Sequence, residues 1–186
     1  MSEYLGDRRK ALEESFFARQ EQKLLNEVRE QREKSEGLTA LADACGVHEA
    51  SVLDALLRAG IHPETLPALT LIPLVVVAWS EGSLEERERR AVLDAAEAQG
   101  ITKGDAPHAL LEGWLSARPP ANLFDTWLAY AAELREVLSE DERKPLRTDL
   151  VKLATAVADA AGGVLGLGPR ISKEEKRLLK EIEEAL

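Results

Sequence analysis

The chain of 186 residues is short of several things. It has one cysteine, Cys45, so no internal disulfide can form, and a reducing compartment, the cytoplasm, is expected. Its three histidines, His48, His62 and His108, lie far apart without metal-ligand spacing. Aromatic residues make up only 4%. No HExxH, CxxC, GxSxG or GxxxxGK[ST] motif occurs, so nothing points to zinc, thiol-redox, serine-hydrolase or nucleotide chemistry. The longest run without charge, residues 65–80, is too short for a membrane span and contains Pro67 and Pro73. Basic residues are outnumbered, 24 against 34 acidic, giving a net charge of -10. That balance argues against nucleic-acid binding, which needs clustered Lys and Arg. The start, Met1-Ser2-Glu3-Tyr4, leads into charge and not into the apolar core of a signal peptide.

What is present reads as helices. Residues 3–35 form a polar stretch without proline, a helix of about 50 Å at the α-helical rise, with Gly37 as its stop. Thr39 opens a short helix ending at Cys45-Gly46. Val52, Leu53, Leu56 and Leu57 mark a helix over 48–59, with Gly60 past its end. An apolar helix opens at His62-Pro63 or Thr65-Leu66-Pro67 and runs to about Ser80. Ser83-Leu84-Glu85-Glu86 reads as a capping box for a helix ending at Gln99, with ion pairs Glu85/Arg89 and Glu86/Arg90. Helices are expected near 106–117 and over 121–138. Another capping box, Ser139–Glu142, opens one whose start Pro145 delays and which Gly162-Gly163 ends. Ser172-Lys173-Glu174-Glu175 caps the last, with Leu178, Leu179, Ile182 and Leu186 on one side. The expected fold is all-α: a long polar N-terminal helix over 1–36, a short helical connector over 37–62, and a bundle over 63–186, about seven or eight helices in the compact part.

Two stretches echo one another. Val77-Ala78-Trp79-Ser80-Glu81-Gly82 leads to a serine and a Glu-rich helix; Val157 to Gly163 leads, through the longer loop 164–169, to Ser172 and another. Acids in a first turn suit the positive end of the helix dipole. Over roughly 64–186 this layout resembles the TerB-like family of helical bundles, linked to tellurite resistance and stress. The match rests on an acid-Gly turn, a hydrophobic residue and a glutamate seven residues past the acid: Glu81, Gly82, Leu84 and Glu88. Glu81 stands where that family usually has Asp. Some members bind divalent cations, and the resemblance implies Glu81, Glu88, Asp159, Glu174 and Glu175 as ligands for Ca²⁺ or Mg²⁺. Read from the residues alone, Glu88 lies four positions from both Leu84 and Val92 and faces inward, where a carboxylate more often accepts backbone N–H bonds. No EF-hand spacing accompanies it.

The N-terminal stretch is unlike the rest. Residues 1–36 hold nine acids and eight bases, and their few large apolar side chains form a narrow stripe: Leu5, Leu12, Phe16, Leu24 and Val28, beside Phe17 and Leu25. Such a stripe packs on the body, forms a coiled-coil seam between copies, or docks into another protein's groove. Arg8-Arg9-Lys10-Ala11-Leu12-Glu13-Glu14-Ser15-Phe16-Phe17, followed by Leu24, Leu25 and Val28, resembles the inhibitory helix of the mitochondrial F-type ATPase inhibitor family and, less fully, the start of the alphaproteobacterial zeta inhibitor. That resemblance implies a helix wedged between catalytic subunits of the ATP synthase, blocking hydrolysis. Its contacts would be Arg8, Arg9, Glu13, Glu14, Phe16, Phe17, Leu24, Leu25 and Val28. No histidine precedes His48, so this helix has no protonation switch near neutrality. The expectation is a non-enzymatic regulator with a protein partner and no obligatory cofactor; the alternatives are a cation-binding stress protein and a helical assembly protein.

Overall fold

Gly37 does not stop the first helix. In the computed structural model, α1 runs unbroken over Ser2–Cys45. The structure describes the backbone of residues 2–161 and 171–186, and the side chains of 19–160 and 171–186. A lone glycine costs a helix interior about 1 kcal/mol, too little to end one whose flanks favour it. Thr39 Oγ1 bonds the Ser35 carbonyl across Gly37 at 3.0 Å. The real stop is Gly46, whose φ of 72° needs a residue without Cβ and whose N–H closes on the Ala42 carbonyl at 2.9 Å. The separate helix expected from Thr39 is therefore about the last two turns of α1.

The remaining helices are α2 (Ala50–Arg58), a 3₁₀ segment (Pro63–Leu71), α3 (Ile72–Ala78), α4 (Glu86–Ala98), α5 (Ala106–Ser116), α6 (Leu123–Val137), α7 (Glu140–Ala161) and α8 (Lys173–Ala185). No strand occurs among the described residues, and the all-α reading stands. The single apolar helix expected over 63–80 is two elements. Pro67 and Pro73 each lack an N–H, so α-helical bonding cannot run through both, and the chain takes tighter 3₁₀ turns until Ile72. Pro145, by contrast, does not delay α7, which starts at Glu140 and carries it inside. The predicted stop at Gly162-Gly163 and the loop after it lie outside the described residues.

Two units divide the chain. The first, Met1–Thr39, is the polar length of α1. Its described side chains support the helix along its own surface. Gln22 donates to Asn26 at 3.0 Å, and Lys23–Glu27, Arg29–Glu33 and Arg32–Glu36 pair at 3.8, 2.8 and 2.7 Å. Each such pair contributes about 0.2–0.5 kcal/mol to a helix that has no core of its own.

The second unit, Ala40–Leu186, is built around α3. Ile72, Leu74, Val75, Val77 and Ala78 are fully buried, because α4, α6, α7, α8 and the 3₁₀ segment all pack on this one short helix. Helix α7 presents Ala154 and Ala158, one turn apart and both buried, so its backbone comes close to the valines of α3. Helix α6 adds Leu123, Trp127 and Ala131; α8 adds Leu178 and Ile182. Helix α5 covers the 3₁₀ segment, and the Trp79 indole N–H at the end of α3 donates to the Trp114 carbonyl of α5 at 2.9 Å. Among the described residues no single helix is long and apolar enough to cross a membrane.

Candidate functional site

The echoed stretches become two matching helix starts. At α8 the predicted cap is present: Ser172 Oγ accepts from the Glu175 N–H at 3.1 Å, and Glu175 Oε2 accepts from the Ser172 N–H at 2.5 Å. At α4 the box is displaced from the expected Ser83–Glu86 to Glu85–Glu88. Glu88 Oε2 accepts from the Glu85 N–H at 2.7 Å, and Glu85 supplies the reciprocal carboxylate. The shift follows from the turn: Gly82 adopts φ 86°, Ser83 and Leu84 stay outside the helix, and α4 begins two residues later. The sequence held the signal, since Glu85 precedes Glu88 by the same three residues that separate Ser172 from Glu175. Neither expected ion pair of α4, Glu85/Arg89 or Glu86/Arg90, forms among the described residues; the Arg89 guanidinium turns to the Leu115 carbonyl at 3.3 Å and to Glu112 at 4.0 Å.

Glu88 and Glu175 are both buried, 2% and 1% exposed. Burial pushes the Glu88 carboxyl up to about 7. The Glu85 N–H bond opposes this, and the charges of Glu85, Glu175 and Glu81 add to it. Glu175 Oε1 is buried and has no hydrogen-bond partner, as does Ser80 Oγ in the turn before α4. The remaining predicted acids are elsewhere in character. Glu81 is exposed yet close enough to act on Glu88. Glu174 points outward, where Arg177 bonds it and Glu181 at 2.5 Å each and holds the Glu174 carboxyl below its usual range. Asp159 is exposed near the end of α7, with no partner among the described residues. The structure thus brings together Glu81, Glu88 and Glu175, and leaves Asp159 and Glu174 apart from them. No group of three or more His, Cys, Asp or Glu placed to hold a metal ion occurs among the described residues.

On the arm, Leu24, Leu25 and Val28 are 58%, 58% and 63% exposed, among the most exposed large apolar side chains described. The backbone of Arg8, Arg9, Glu13, Glu14, Phe16 and Phe17 lies within α1; their side chains are outside the described residues. Comparison of the chain with protein-family models, with curated proteins and with solved structures finds no match.

Proposed function

We propose that this is a non-enzymatic regulatory protein that docks its N-terminal helix onto a protein partner, and that the partner is the F-type ATP synthase, whose ATP hydrolysis it inhibits. One observation carries the reading: an apolar triad, Leu24, Leu25 and Val28, stands exposed on a helix held by its own surface pairs. A helix already formed before docking loses less conformational freedom on binding, which favours affinity. The exposed triad is the kind of face that enters an apolar groove. The choice of partner rests on the resemblance of residues 8–28 to the inhibitory helix. The test is ATP hydrolysis by purified bacterial F-type ATPase with and without the full chain. Inhibition lost in Phe16→Ala/Phe17→Ala and in Leu24→Ala/Val28→Ala supports the proposal; absence of inhibition by the wild-type chain overturns it.

A second reading is favoured by the lone buried oxygen of Glu175. A divalent cation bound by Glu175 Oε1 and the second oxygen of Glu88, with waters completing its shell and the Glu81 charge nearby, would give that atom a partner. Carboxylate oxygens suit Ca²⁺ and Mg²⁺, and Mg²⁺ commonly keeps several waters, so few protein ligands suffice. Each buried glutamate already spends one oxygen on its own helix start. A rise in Tm with Ca²⁺ or Mg²⁺, lost in Glu81→Ala/Glu88→Ala, supports this reading; an unchanged Tm in both ions removes it.

A further inference from the structure

We draw no further inference here: the strongest candidate, the apolar groove between α4, α6 and α7 that Leu134, Leu146, Leu150 and Leu153 help to line, carries nothing, because nothing in the structure shows what covers it.

Discussion

Glu88 and Glu175 close the starts of two different helices with the same bond, carboxylate to the backbone N–H three residues earlier, and the charge of Glu175 makes Glu88 harder to ionise. The pH consequence has a definite sign. The folded Glu88 carboxyl is raised to about 7 from an unfolded value of 4.5. Between those values the folded state binds more protons than the unfolded state, so the Glu88 contribution to stability falls as pH rises through that window and levels off above it. Glu88→Gln keeps an oxygen for the Glu85 N–H and removes the titration. Tm measured from pH 4.5 to 8 should show the variant gaining on the wild type as pH rises. A constant difference across the range would contradict it.

Gly37 and Gly46 should respond in opposite directions to the same substitution. Gly37 lies inside α1, away from the positive-φ positions, so Gly37→Ala should add about 0.5–1 kcal/mol to the helix, seen as increased helicity by circular dichroism. Gly46 holds φ 72° with open space around its Cα, so Gly46→Ala meets only backbone strain and should cost about 1–2 kcal/mol in chemical denaturation. Gain at both positions would mean that α1 ends elsewhere.

Much of this was legible in the residues because most helix ends here carry chemical marks. Gly60, Asp105 and the Ser172–Glu175 box sit where the helices stop or start. The errors share a cause: a local signal outweighed by its neighbours. Gly37 looked like a terminator, but nothing around it turns the chain. Ser83 looked like a cap, but the Gly82 turn carries it past the helix start. The inward face of Glu88 was readable from its spacing to Leu84 and Val92. Its closeness to Glu175 was not, since only the packing of α4 and α8 on α7 and α3 brings those two helix starts together.

The Trp79 indole tests the seam between α3 and α5. Trp79→Phe keeps an aromatic ring but leaves the Trp114 carbonyl without its donor. The expected loss is about 1–2 kcal/mol by urea denaturation, from the unmade bond and the smaller ring. A loss near zero would show that solvent reaches that carbonyl.

Close approach of α7 to α3 makes Ala158 intolerant of size. It is fully buried among residues that are themselves fully buried. Ala158→Leu should destabilise the body by about 1–3 kcal/mol, whereas Ala98→Leu on the exposed surface of α4 should change little. Equal effects in thermal denaturation would count against tight packing at that contact.

The 3₁₀ stretch between α2 and α3 has a bearing on proteolysis. Irregular backbone rich in proline is normally where a protease finds its substrate, because it can be drawn out strand-like without breaking a helix. Here Ala68, Leu69 and Leu71 are fastened inside, at most 2% exposed, and α5 lies across them. Presenting that stretch to an enzyme would mean prising α5 away and exposing the underside of α3. It should therefore be cut only when the whole bundle opens, and the fragment pattern there would report global unfolding in place of local fraying.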